Sequence, residues 1–334
     1  MIKYIILIMF QFFASFQLLA NVCDRSESMR LVLEDHISKG CKEISKKDLA
    51  EITELHFYES ILSETSSYFA ELNSKDFKGF SNLKFLDLNW IFLRSFPGDF
   101  FAEIPYLERL HWGFGNLDEF DFKADNPLRY LTGLKYLTLT NLKMDYLGPE
   151  IFSDLKNLEI LSINHTDDLL TRIHPQAFSN LKNLRILRML RPIVVSKKLL
   201  SLFSENRKLE ALGLHFSAQS KFLPGGLFKN LFKLKLLYIE SPGTPRLSRY
   251  FFYGLKNLEL LFVKEAAFFQ QVHTYHFSKM NKLKLNFSII SFRFGASREV
   301  EQDALQKRLS GIRVCKDLDS EACQFMDVVP DVNE

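Results

Sequence analysis

The sequence has little net charge and no long apolar run beyond its first twenty residues. Lys and Arg number 43 against 40 Asp and Glu, a net charge of +3. This balance gives no reason to expect nucleic acid or an anionic membrane as a partner. No stretch after residue 20 reaches the roughly 20 apolar residues of a transmembrane helix. We therefore expect the mature chain to have no membrane span.

Catalytic and cofactor motifs are also missing. The sequence contains no nucleotide-binding glycine loop, no G-x-S-x-G and no H-E-x-x-H. His273 and His276 form H-x-x-H without a supporting carboxylate. The acidic run from Asp317 to Glu321 lacks the glycine and the final glutamate of a calcium loop. We therefore predict that the protein is not an enzyme and holds no cofactor or metal.

The first twenty residues form a strongly apolar segment with the layout of a secretory signal. Lys3 supplies the positive charge, residues 4–13 form the apolar core, and Ala20 stands at a plausible cleavage point. A retained membrane anchor is the alternative, although the apolar run is short for a span. We expect a secreted, extracellular protein, or a periplasmic or cell-surface protein if the source is bacterial.

The abundant feature is a segment that recurs nine times with the template F-x-x-L-x-x-L-x-x-L-x-L. The intervals of 24 to 27 residues between copies are typical of a solenoid, in which stacking buries the apolar edge of each repeat. The final L-x-L alternates as a short strand does, whereas the first half does not and indicates a helical turn or a looser arc. The nine copies begin at Phe77, Phe101, Leu128, Phe152, Phe178, Phe203, Phe228, Phe252 and Phe277.

These copies resemble the leucine-rich-repeat family, in particular its long-repeat extracellular class with a phenylalanine in the convex half. Proline often precedes that phenylalanine in the class, as it does in 149–152 and 175–178. The resemblance implies an α/β solenoid, a curved horseshoe with a parallel sheet on its concave side. The family's usual asparagine, three residues after the last strand leucine, is absent. We therefore expect the loops to satisfy their backbone groups in another way.

The solenoid constrains the pairing of the four cysteines, because an even count behind a signal peptide predicts disulfides. Strands spaced by about 4.8 Å hold the two ends of nine or ten rungs roughly 40 Å apart. A disulfide requires Cα atoms within about 7 Å. The predicted pairs are therefore Cys23–Cys41 and Cys315–Cys323.

The chain divides into a signal peptide, an N-terminal cap, the repeats, a C-terminal cap and a disordered tail. The C-terminal cap is expected to contain a helix from Ser297 and a strand at 312–314. These elements would cover the open end of the stack. The predicted boundaries are 1–20, 21–50, 51–294, 295–326 and 327–334.

The residues between the strand leucines are expected to face the concave surface, because alternate side chains point to opposite faces of a strand. Its C-terminal half is apolar for an exposed sheet, which is typical of a binding site. Coverage by the C-terminal cap is the alternative. We predict a concave ligand-binding set of Tyr136, Arg188, Tyr238, Phe262, His111 and Asp87.

Two places lengthen the repeat, and such insertions map to the rim of a solenoid. The first, 113–127, carries Phe120 and Phe122, which form either a contact edge or local packing against the repeat. Sequons occur at Asn164 and Asn286, and a glycan on Asn164 would obstruct the concave face.

We predict a protein that binds a protein or peptide ligand on the concave face and rim loops. The alternative is a structural or adhesive surface protein that acts by avidity, and the oligomeric state stays open.

Overall fold

The computed structural model describes the N-terminal cap, most of the repeat array and parts of the C-terminal region. The N-terminal apolar segment, Phe120, Phe122, the helix expected from Ser297 and Cys323 lie outside the described residues. The described residues are 21–57, 69–70, 72–89, 92–93, 97–113, 125–140, 146–164, 172–243, 245–263, 274–277, 280, 283–286 and 313–315.

Strands dominate this part of the chain. They are β1 (Glu54–His56), β2 (Phe69–Ala70), β3 (Phe85–Leu88), β4 (Phe92–Leu93), β5 (Arg109–Gly113), β6 (Tyr136–Thr140), β7 (Tyr146–Leu147), β8 (Ile160–Asn164), β9 (Arg172–Ile173), β10 (Ile186–Ile193), β11 (Ala211–Phe216), β12 (Phe222–Leu223), β13 (Leu236–Glu240), β14 (Arg246–Leu247), β15 (Leu260–Val263), β16 (Lys284–Asn286) and β17 (Arg313–Cys315). Short 3-10 helices span Val22–Asp24, Ser74–Phe77, Pro127–Tyr130, Lys197–Ser201 and Thr274–Phe277.

One parallel sheet runs the length of the solenoid. Among the described residues it has eleven strands in the order β1-β3-β5-β6-β8-β10-β11-β13-β15-β16-β17. Three small parallel sheets, β2–β4, β7–β9 and β12–β14, are built from two-residue strands. Each of these strands follows a strand of the main sheet along the chain. The predicted parallel solenoid is therefore confirmed. A final strand at the C-terminal end is also present, at Arg313–Cys315 rather than 312–314.

The template leucines and phenylalanines form one continuous core. The leucine at the seventh template position is fully buried in most copies, as at Leu158 and Leu184. The rings of Phe152, Phe178 and Phe203 stack at centroid distances of 6.1 Å from copy to copy. Each buried side chain of this size contributes about 1.5–3 kcal/mol relative to exposure. The first half of each copy forms hydrogen-bonded turns, which matches the looser arc expected there.

Two α-helices and a disulfide form the N-terminal cap. Helix α1 (Glu27–Ile37) starts at Ser26, whose hydroxyl accepts from the backbone N–H of Met29. Helix α2 (Lys46–Glu51) begins with a capping box between Ser45 and Asp48. The buried side chains Met29, Val32, Leu33 and Leu49 join the core of the first rung. The predicted bond between Cys23 and Cys41 is present, with Cα atoms 5.1 Å apart.

Asparagines bind the copies together, but at template position six instead of in the strand-side loop. Asn157, Asn183 and Asn257 each donate from Nδ2 to the carbonyl at position five of the preceding copy. The distances are 2.9, 2.9 and 2.7 Å. These side chains satisfy backbone carbonyls in the turns that precede the strands, one copy to the next.

One asparagine replaces a core leucine. Asn206 stands at template position four, where neighbouring copies have leucine, and it is fully buried. Its Nδ2 donates to the carbonyls of Phe178 and Leu181, both at 2.9 Å. A polar side chain is tolerated at this core position because both of its amide hydrogens have partners.

Replacing Asn206 with Ala should lower the free energy of unfolding by about 1–3 kcal/mol, because two buried carbonyls lose their donor. Asn183→Ala removes one exposed hydrogen bond and is the matched control. Chemical denaturation of both variants checks this. An equal loss in the two variants would contradict a special role for Asn206.

Replacing Cys23 and Cys41 together with Ser should destabilise the chain by about 3 kcal/mol, because the bond closes a loop with a sequence separation of 18 residues. Thermal melting of the double variant and of the reduced parent measures this effect. Unchanged melting would mean that the cap is held by α1 and α2 packing alone.

Candidate functional site

The strand register places five of the six predicted concave residues in one column, whereas Tyr136 lies in the column beside it, in register with Arg109 and Ile160. Each central residue lies opposite its counterpart in the next strand, from His56–Asp87 at one end to Tyr238–Phe262 at the other. The full column is His56, Asp87, His111, Thr138, Ser162, Arg188, Gly213, Tyr238 and Phe262. The register of this column follows the spacing of the copies, and the binding role of its residues stays a prediction.

The N-terminal end of the column is polar and closely packed. One oxygen of Asp87 lies 3.5 Å from Nδ1 of His111 and 3.8 Å from Nδ1 of His56. The ring of Phe85 stands edge-on between the two imidazoles at 4.8 and 4.9 Å. The guanidinium of Arg109 lies 5.2 Å from that ring, on the neighbouring strand. These contacts hold the polar side chains against one another across β1, β3 and β5.

The C-terminal end is apolar. Leu236, Leu260 and Phe262 form a buried cluster that is separate from the core of the solenoid, and Ala211 and Tyr238 pack against it. These residues occupy the two strand positions that alternate with the core leucines, so they lie on the opposite face of the sheet. We call this group the apolar face cluster. The hydroxyl of Tyr238 donates to Glu240 at 3.3 Å.

A notch separates the two ends of the column. Gly213 is in register with Arg188 on one side and Tyr238 on the other. A Cβ added at Gly213 would lie 3.8 Å from its nearest neighbours, which is ordinary van der Waals contact. The backbone therefore does not require glycine at this buried position, which has Cα of Arg188 on one side and Cβ of Tyr238 on the other.

The predicted site residues differ in their exposure. Asp87, Tyr136, Arg188 and Tyr238 are half-buried on the face, whereas His111 is 5% and Phe262 is 2% exposed. Arg109 also lies over the ring of Tyr136 at 5.3 Å. The four half-buried side chains are accessible to a ligand, and His111 and Phe262 are not. Ligand binding by these residues stays a prediction, and Phe120 and Phe122 lie outside the described residues.

The column beside the centre departs from the sequence reading at β10. This strand is eight residues long and contains a register shift, so His215 pairs with Pro192 and not with Leu190, the residue that the repeat spacing places beside it. The sequon residue Asn164 lies on the face and accepts at Oδ1 from the Ser162 hydroxyl at 3.1 Å. A glycan at Asn164 would therefore stand next to the central column.

A feature missed by sequence reasoning borders the sheet. The residue at template position eight, directly before each strand, alternates in charge along the whole array, which we call the charge ladder. Its members are Lys84, Glu108, Lys135, Glu159, Arg185, Glu210, Lys235, Glu259 and Lys284. Reading this single position down the nine copies would have revealed it.

The ladder is held by ion pairs between neighbouring copies. Glu108 contacts Lys84 at 3.1 Å and Lys135 at 2.8 Å. Arg185 contacts Glu159 at 3.6 Å and Glu210 at 3.2 Å. Hydrogen bonds from Lys135 and Lys84 lower the pKa of Glu108, and its carboxylate raises the pKa of Lys135. Because the signs alternate, neighbouring members of the ladder carry opposite charges in every copy.

The described part of the chain shows neither a metal site nor a membrane span. Among the residues that the structure describes, His, Cys, Asp and Glu form no group of three or more suited to a metal ion. No helix in the described ranges is long and apolar enough to cross a membrane.

Comparison with known proteins agrees with this architecture. The leucine rich repeat family profile matches residues 132–190. The Toll–Spatzle complex of Drosophila aligns with a TM-score of 0.55 and 16% identity, over 81% of this chain and 34% of that chain. The complex of TLR13 with ssRNA13 aligns with a TM-score of 0.49 and 20% identity, over 82% of this chain and 45% of that chain. No curated protein matches the sequence.

The chain has the leucine-rich-repeat fold, as its repeats and these comparisons show. It spans about a third of the Toll chain and less than half of the TLR13 chain. At 16% identity the likeness to Toll establishes the fold alone.

Replacing Glu108 with Gln should lower the melting temperature by a few degrees at most, because exposed ion pairs contribute little individually. The carboxylate has a lowered pKa, so its contribution is present above the unfolded pKa and is lost as pH falls through the folded pKa. Glu103→Gln, in the same copy and exposed, is the control. A difference between parent and Glu108→Gln that persists in high salt or in acid would contradict this account.

Proposed function

We propose that this protein binds a protein or peptide ligand on its concave face, across β10, β11, β13 and β15. The observation that carries this proposal is the pair of half-buried side chains Arg188 and Tyr238, which lie on the side of the sheet away from the solenoid core. The buried residues of the apolar face cluster beside them are at most 6% exposed, so they back these two side chains, which supply the accessible contacts. The loop with Phe120 and Phe122 would add contacts at the rim.

The notch at Gly213 supports the proposal. An inserted ligand side chain would lie between the guanidinium of Arg188 and the ring of Tyr238, on neighbouring strands. Arginine and tyrosine are enriched among residues that dominate binding energy, and such residues cluster around well-packed pockets. The similar fold of Toll, solved in complex with Spatzle, makes ligand recognition the first function to test.

Secretion belongs to the same proposal. The bond between Cys23 and Cys41 supports an oxidising compartment. The apolar first twenty residues support export. We propose that the protein acts outside the cell or at its surface as a binding module without catalytic activity.

Gly213→Tyr tests the site because it fills the notch without a backbone clash. A random-peptide library selected on the immobilised parent supplies the probe. We expect the selected peptides to bind Gly213→Tyr at least about 30-fold more weakly, the usual effect of losing a dominant contact. Tyr238→Asp should have a similar effect, measured by calorimetry or surface plasmon resonance.

The control is Lys182→Glu, an exposed change outside the sheet. Equal peptide binding by the parent and by Gly213→Tyr would contradict the proposal. Failure to select any peptide, together with self-association of the chain in sedimentation, would favour the adhesive alternative.

A further inference from the structure

Positive charge is concentrated between residues 221 and 256, which cover the end of the sixth copy, the seventh copy and the start of the eighth. Residues 221–256 contain seven basic residues and one acidic residue, a formal charge of +6. The whole chain carries +3, so the remaining residues sum to −3. The single acid, Glu240, belongs to β13 of the main sheet, and Lys235 belongs to the charge ladder. The other six bases are exposed and lie outside the main sheet: Lys221, Lys229, Lys233, Arg246, Arg249 and Lys256.

Exposed aromatic rings occupy the same stretch of the chain. Phe222 is 45%, Phe232 48%, Tyr250 59% and Tyr253 58% exposed. Among the described residues, Tyr106 is the remaining large hydrophobic side chain with comparable exposure. A phenylalanine ring forms no hydrogen bonds with water. Two half-exposed phenylalanines beside two tyrosines are therefore unusual on a protein surface.

These bases and rings lie on stacked turns of the sixth to eighth copies, and we call them the basic aromatic patch. Phe222 of β12 is paired with Arg246 of β14. The backbone of Phe232 accepts a hydrogen bond from Asn257 of the next copy at 2.7 Å. The guanidinium of Arg249 lies 5.3 Å from the centroid of the Tyr250 ring. A Cβ at Gly254 would lie 2.7 Å from Cα of Lys229, which shows how closely the turns stack.

We propose that the basic aromatic patch binds the surface of an anionic lipid bilayer. Interfacial membrane binding combines aromatic rings that enter the headgroup region with cations that meet the lipid phosphates. Single-stranded nucleic acid, the other anionic partner with affinity for aromatic rings, is bound in charged grooves. Here the rings and cations project from the outer turns, and the phenylalanines suit an acyl boundary. The binding surface is separate from the concave face, so both can be occupied together.

Vesicle co-sedimentation of the full chain tests this inference. The probes are vesicles of phosphatidylcholine alone and of phosphatidylcholine mixed with phosphatidylglycerol. We expect partitioning onto the mixed vesicles that falls about 30-fold in Lys233→Gln/Lys256→Gln, since each basic residue near an anionic surface contributes roughly a factor of five. Phe232→Ser/Tyr253→Ser should weaken partitioning onto both vesicle types.

Matched controls exist in other copies. Lys156→Gln/Lys182→Gln changes two exposed lysines at template position five, and Tyr106→Ser changes an exposed ring away from the patch. The apolar first twenty residues are common to all variants, so differences between variants report the patch. The inference is overturned if patch and control variants partition equally, or if a single-stranded RNA oligonucleotide binds through the patch while mixed vesicles do not.

Discussion

The structure depends on the burial of leucines that no single copy can bury alone. Each copy presents apolar side chains along one edge, and only the next copy covers them. The parallel sheet follows from this stacking because equivalent strands must lie side by side in register. Asn157, Asn183 and Asn206 then tie each turn to the one before it. The face of the sheet away from the core is left free to vary.

The difference between the buried core positions and the positions on the free face explains which features could be predicted from the sequence. The period determined which residues share the central column, and the register confirmed it from His56 to Phe262. The burial of His111 could not be predicted, because it depends on contacts with Phe85 and Asp87 across two neighbouring strands. The shift in β10 was also hidden, since Pro192 interrupts an otherwise regular strand. The charge ladder was readable in the sequence but required one position to be compared across copies.

Net charge was the least informative property. A total of +3 predicted no anionic partner, yet it conceals a region of +6 in residues 221–256. In a solenoid, each copy contacts only its neighbours, so charge can differ between copies without strain on the fold. The concave face and the basic aromatic patch therefore carry different chemistry on one scaffold.

The central claim is that ligand binding occurs on the variable positions of the main sheet. Hydroxyl-radical footprinting with a bound peptide tests it directly, because tyrosine is readily oxidised and occurs both on and off the face. The account predicts that the ligand protects Tyr238 and leaves Tyr106, exposed on an outer turn, unchanged. Unchanged oxidation of Tyr238 in the complex would contradict it.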